Sequence, residues 1–318
     1  MSPGERSFAG ASSLHRGDPL FRLLLDSWGL AERGMAVLTV AVGFGALALW
    51  YLGTLLFFPA LRCMRGMFEY YSATVGDLIL LPVLNALALR YARAVIPGVE
   101  AVVRASAASE RHAVRLLRLV DRLYNARKGL VFVLAIAASV VAWQRFDELY
   151  GLDRNWTVPV WGQPRLVAWY HQAFFGFEAY LMAYLVYRHT LTWHLLRRLA
   201  RRPAARPMAS ALADRGARLF GWTLLGWGTF VSLRLLDFFR FGSVVHPTSL
   251  LSLPAPITTA AFYYAVLVGA GLWPLMIVVR QPGAQFDRRP ALLLAAAAAI
   301  APVVGPIARV LLACVTGA

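Results

Sequence analysis

Charge is what this chain has least of. Charged side chains make up 15% of its 318 residues, while 59% of the residues are hydrophobic. An ordinary soluble domain carries about 25% charged residues. So much apolar surface has no aqueous hiding place and excludes a simple water-soluble globule. Acid is scarcer than base, with 16 acidic against 32 basic residues and a formal net charge of +16. Lysine is nearly missing, since Lys128 is the only one and every other cation is arginine. Cysteine is limited to Cys63 and Cys314, which are read as unpaired thiols at apolar sites. No Cys-x-x-Cys motif or Cys/His cluster with metal spacing occurs, so no metal or cofactor site is expected. Walker A, GxSxG, HExxH and GxGxxG motifs are also absent, which leaves nucleotide, serine-hydrolase and zinc-protease readings without support. The positive charge comes without any nucleic-acid-binding module, so no nucleic-acid partner is expected.

The chain does have long stretches without charge. None occurs between Arg33 and Arg62, Lys128 and Arg145, Arg240 and Arg280, or Arg289 and Arg309. An α-helix needs about 17–25 residues to cross the ~30 Å hydrocarbon layer. The pattern predicts an all-α, polytopic membrane bundle of about seven spans, near 36–58, 73–96, 129–149, 166–188, 216–239, 255–279 and 290–314. Proline at Pro82, Pro302 and Pro306 predicts kinks whose freed backbone groups neighbouring helices must satisfy. No repeat or inverted duplication is visible.

Loop charge orients these spans. Residues 90–128 hold nine basic and three acidic side chains, residues 188–218 eight and one, and residues 280–289 three and one. The intervening loops are poor in arginine: residues 146–164 hold one basic and three acidic side chains, and residues 241–254 none. The positive-inside rule places the first group in the cytoplasm, giving a cytoplasmic N-terminus and an extracytoplasmic C-terminus. The loop at 59–72, with Arg62, Arg65 and Glu69, fits this least well. Residues 1–34 read as a tail and an interfacial amphipathic helix starting at Asp18-Pro19, with no removable signal peptide. Residues 35–318 form the seven-span domain, with basic helical loops at 97–128 and 189–215. In the first of these loops Arg111, Arg115, Arg118 and Arg122 share one helical face, which points to anionic lipid headgroups. The arginine- and alanine-rich composition suggests a bacterial inner membrane.

Ionisable residues inside spans are costly, at about 2.5–3.5 kcal/mol each on insertion scales, and so mark function or pairing. In the predicted topology they gather in the outer half of the bilayer, together with the neutral amide Gln172: Asp77, Arg145, Glu148, His171, Glu178, Arg234, Asp237 and Arg309. The inner halves hold almost none. His171 and Glu178 are two helical turns apart and share a face, so they are the candidate base and acid. The others are candidate solute-binding residues. Two function classes follow. One is a transporter or channel-like protein with a polar ion or small-solute site in the outer half. The other is a membrane-embedded enzyme acting on a phosphate-bearing or lipid-linked substrate at the outer leaflet. A structural or signalling subunit, possible as a homo-oligomer, is the third reading.

Overall fold

The computed structural model describes residues 27–42, 65–125, 165–245, 260–261, 263–272 and 288–316. Among these residues there are helices and no strands, as the sequence predicts. The long helices are α1 (Arg65–Ser106), α2 (Glu110–Asn125), α3 (Arg165–Leu199), α4 (Arg206–Val245) and α5 (Arg288–Thr316). A 3-10 turn, Pro203–Ala205, joins α3 to α4, and the segment Leu267–Leu272 is π-helical. The expected third span, the Asp18-Pro19 helix start, Cys63 and most of the first and sixth spans lie outside the described residues.

The helices outrun the expected spans. At 1.5 Å per residue, α1 with its 42 residues is about 60 Å long, twice the hydrocarbon thickness. It starts at Arg65 rather than near 73, and runs through Pro82 and Pro97 to Ser106. α3 and α4 also continue into the segments read as basic loops. Among the described residues one helical stretch, Arg289–Leu312 of α5, is long and apolar enough by itself to cross a membrane.

The 97–128 loop breaks at 107–109 and re-forms as α2. The Ser109 hydroxyl accepts a hydrogen bond from the His112 amide at 3.3 Å, which caps the new helix. Arg202 donates to the Ser106 carbonyl at the end of α1, a cation completing a helix C-terminus. Arg104 pairs with Glu110 at 2.6 Å, so α2 starts where α1 ends. Its other end, Tyr124, lies back against α3. Hence α2 runs antiparallel to α1 along the bundle. Ala113, Leu117, Val120 and Tyr124 are its buried face, spaced as one helical stripe.

α4 is the central helix, packed against α1, α3 and α5. Glycines let it approach closely. A Cβ on Gly226 would meet Leu84 at 2.9 Å, and one on Gly228 would meet the Tyr263 hydroxyl at 2.6 Å and the Ala301 Cβ at 2.9 Å. The same contacts give the register. Gly98 faces Leu212, Gly216 faces Val95, and Gly226 faces Leu84, so α1 and α4 are antiparallel. Gly221 faces Leu294, Gly228 faces Ala301, and the Gly305 amide donates to Ser232 Oγ at 2.8 Å, so α4 and α5 are parallel.

The prolines of α5 behave as the sequence predicts. Pro302 has no amide, so the Ala298 carbonyl loses its helical donor. The Tyr263 hydroxyl takes that place at 2.6 Å and shares its proton with the Leu224 carbonyl at 2.9 Å. The Tyr264 hydroxyl donates to the next carbonyl, Ala299, at 3.0 Å.

Candidate functional site

The register carries most of the predicted site residues to one end of the bundle. Tyr91 meets His189 and Ser106 meets Arg202 just past the end of α3, so α1 and α3 are parallel. In that frame Asp77 on α1 comes level with Phe175 on α3, Leu233 on α4 and Pro306 on α5. His171, Gln172 and Glu178 on α3, Arg234 and Asp237 on α4, and Arg309 on α5 all fall within about one turn of that level. The backbone positions therefore occupy a slab roughly 10 Å deep. Of these residues, only Arg309 has a described side chain. Arg145 and Glu148 lie outside the described residues.

Arg309 is half-buried, and its Nη1 is buried without a hydrogen-bond partner. A guanidinium N–H removed from water and left unmet is costly. Its neighbours in sequence, Ile307, Val310, Leu311 and Leu312, are exposed apolar residues. Arg309 therefore sits at the edge of the bundle, part inside and part facing outward.

The other end of the bundle holds a polar cluster that sequence reasoning missed. Tyr91 Oη lies 2.8 Å from His189 Nδ1, and Trp193 Nε1 donates to His189 Nε2 at 2.7 Å. The indole has only a proton to give, so Nε2 is bare and Nδ1 carries the imidazole proton and donates to Tyr91. The ring is thus a neutral imidazole with both nitrogens engaged. Phe220 of α4 stacks on it at 3.8 Å between centroids, 10° from parallel. Thr192 is hydrogen-bonded to Tyr124. The result is a chain, Tyr91–His189–Trp193, joining α1 to α3, with the pair Tyr124–Thr192 joining α2 to α3.

Arg188 lies beside this chain, 2% exposed. Its guanidinium sits 4.2 Å from the Tyr184 ring centroid and 5.7 Å from that of Tyr124, and it donates to the Tyr184 hydroxyl. Such stacking suits a desolvated guanidinium. Burial pushes the Tyr124 hydroxyl up to about 12, against the opposing pull of its Thr192 hydrogen bond and of Arg188. Tyr187 donates to the Leu123 carbonyl at 2.6 Å, fastening the end of α2 to α3. Farther along, Asn85 donates to Thr39 Oγ1 at 3.0 Å, tying the helical segment at 32–42 to α1.

Arg188 and His189 lie level with Arg90 and Tyr91, at the basic end of the bundle. Arg188 and His189 close the expected fourth span and read as the first residues of a basic loop. Because α3 continues to Leu199, they stay inside the bundle. One signal was available: Tyr184, Arg188 and Thr192 follow at four-residue spacing and line one helical stripe. Among the described residues no group of three or more His, Cys, Asp or Glu side chains could hold a metal ion. The described cysteine, Cys314, is free and exposed. Comparison with protein-family models, curated proteins and solved structures finds no match for this chain.

Proposed function

We propose that the chain is a polytopic helical membrane protein of the transporter or channel class. It binds a small ion or solute in the bilayer half opposite its basic end, at the level of Asp77, Glu178, Arg234, Asp237 and Arg309. The basic end faces the cytoplasm, as the positive-inside rule requires, and an inner bacterial membrane is its location. The observation that carries the reading is the unmet Arg309 Nη1, a buried donor on the helix best suited to cross a membrane. An anionic group on the solute supplies the missing acceptor, and the carboxylates at the same level bind cationic or hydroxyl groups.

The test uses full-length protein in lipid nanodiscs and measures thermal unfolding against a panel of small carboxylates, phosphates, amino acids and inorganic ions. At least one class raises the melting temperature of the native chain, and Arg309→Gln abolishes that rise. No response to any class, or an unchanged response in Arg309→Gln, contradicts the reading.

One observation favours the second reading. Arg309 adjoins exposed apolar residues, so a lipid phosphate can reach it from the side. A membrane-embedded enzyme would then clamp that phosphate with Arg309 and Arg234 and use His171 or Glu178 as base. In the same assay this reading predicts stabilisation by a phosphate-bearing lipid rather than by water-soluble solutes.

A further inference from the structure

The helix register that gathers the acidic residues at one level also gathers arginines at another. Arg90 and Arg93 lie on α1. By the Gly216–Val95 and Gly98–Leu212 contacts, Arg215 and Arg218 of α4 come level with them. By the Gly221–Leu294 contact, Arg289 of α5 follows. Arg122 of α2 joins them, because Tyr187 and Thr192 hold Leu123 and Tyr124 at that height. All six arginines are exposed. They come from four helices and fall within about 8 Å along the bundle axis. Most of the other basic side chains described lie beyond this belt, away from the apolar part of the bundle.

A second belt marks the opposite boundary. Carrying the register the other way, Tyr70 and Tyr71 on α1 come level with Trp169 and Tyr170 on α3 and with Phe238 and Phe239 on α4. This aromatic level is about twenty residues from the arginines, or ~30 Å of helix. That is the thickness of the bilayer hydrocarbon, with aromatic residues at one interface and arginines at the other. The apolar stretch Arg289–Leu312 of α5 spans the same two levels.

We propose that the arginine belt is a binding surface for anionic phospholipid of one leaflet, with Arg90, Arg93, Arg122, Arg215, Arg218 and Arg289 at the phosphate plane. The proposal rests on the membrane reading above and adds a partner to it. It also revises the lipid contacts expected from sequence. Because α2 runs along the bundle, Arg122 reaches the phosphates, while Arg111 stands about 16 Å farther into the cytoplasm. Charge complementarity selects the occupant: the belt carries six guanidinium groups against two acids at that level, Asp214, paired with Arg218, and Asp121 beside Arg122. Each arginine near an anionic surface adds to the attraction, which salt screens.

The experiment reconstitutes the full chain in nanodiscs of phosphatidylcholine mixed with phosphatidylglycerol, exchanges it into detergent, and counts the lipids that stay bound. The native chain retains phosphatidylglycerol in several-fold excess over its share of the mixture, and the excess shrinks as salt rises. A variant carrying R90Q, R93Q, R122Q and R215Q retains the two lipids in the ratio supplied. Lysine at the same four positions keeps the excess, which separates lost charge from lost fold. A control carrying R111Q, R115Q, R197Q and R201Q keeps it too, since those side chains lie beyond the belt. Retention at the supplied ratio by the native chain overturns the proposal while leaving the membrane reading intact. So does loss of the excess in the control but not in the belt variant. Failure of the native chain to enter nanodiscs overturns both.

Discussion

The two ends of the bundle surround their buried arginine groups differently. At the basic end His189 has both ring nitrogens engaged and a face covered by Phe220. Thr192 pairs with Tyr124, and Arg188 donates to Tyr184 and rests on aromatic rings, its Nε and Nη1 buried without a hydrogen bond. At the other end Arg309 Nη1 is buried with no hydrogen-bond partner among the described residues, and its sequence neighbours are exposed apolar side chains. A satisfied network rigidifies a fold, and a group left unmet is free to act on something else. The difference is in what surrounds the two arginines: aromatic rings enclose Arg188, while Arg309 meets the bundle's edge, where the proposed solute site lies.

The largest expected effect is at His189. His189→Ala removes the stacked ring and strands the Trp193 indole N–H and the Tyr91 hydroxyl in the core. It is expected to cost about 3–5 kcal/mol, read as a fall in denaturant midpoint in detergent. Survival of this variant at native stability would break the contrast between the ends.

Gly228→Ala comes next. Its Cβ would lie 2.6 Å from the Tyr263 hydroxyl and 2.9 Å from Ala301, where α4, α5 and the Tyr263 segment converge. Overpacking of this kind costs about 1–3 kcal/mol. Gly216→Ala is its control. There the nearest atom is 3.8 Å away, so the change should be neutral or stabilise by up to about 1 kcal/mol through helix propensity. Thermal unfolding of the two variants side by side reads the difference.

Tyr263→Phe leaves the Ala298 carbonyl without its substitute donor, at about 1–2 kcal/mol, and should increase amide exchange around Pro302. The smallest stability effect belongs to Arg309→Gln. Removing an unmet buried guanidinium should leave the melting temperature unchanged or slightly raised, while the solute response disappears. A large loss of stability in this variant would show that Arg309 is structural, and the two ends would then be alike.

Much of the helical content was legible in the sequence, because charge-free runs and loop arginines are strong signals. The need for a neighbouring donor at Pro302 was legible too, though not that Tyr263 would supply it. What stayed hidden depends on helix continuation. Nothing in the composition of 189–199 separates a basic loop from three further turns of α3, so the burial of Arg188 and His189 had a single sequence signal, the four-residue spacing of Tyr184, Arg188 and Thr192. The stripe of arginines on α2 gives a face but not the helix's direction, which needed the contacts of Leu123 and Tyr124 with α3. Of the candidate site, the shared level of Asp77, Glu178, Asp237 and Arg309 follows from span positions, but the unmet Nη1 of Arg309 needed the packing of α5.

A high-resolution cryo-EM map of the full chain in a lipid nanodisc tests the central claim most directly. The bilayer edge should fall at Arg90 and Arg218, and a cavity should open beside Arg309 Nη1 with density for a solute or a lipid phosphate against it. A carboxylate of the chain itself closed onto Arg309 with no cavity, or a bilayer edge far from the arginine belt, would contradict it.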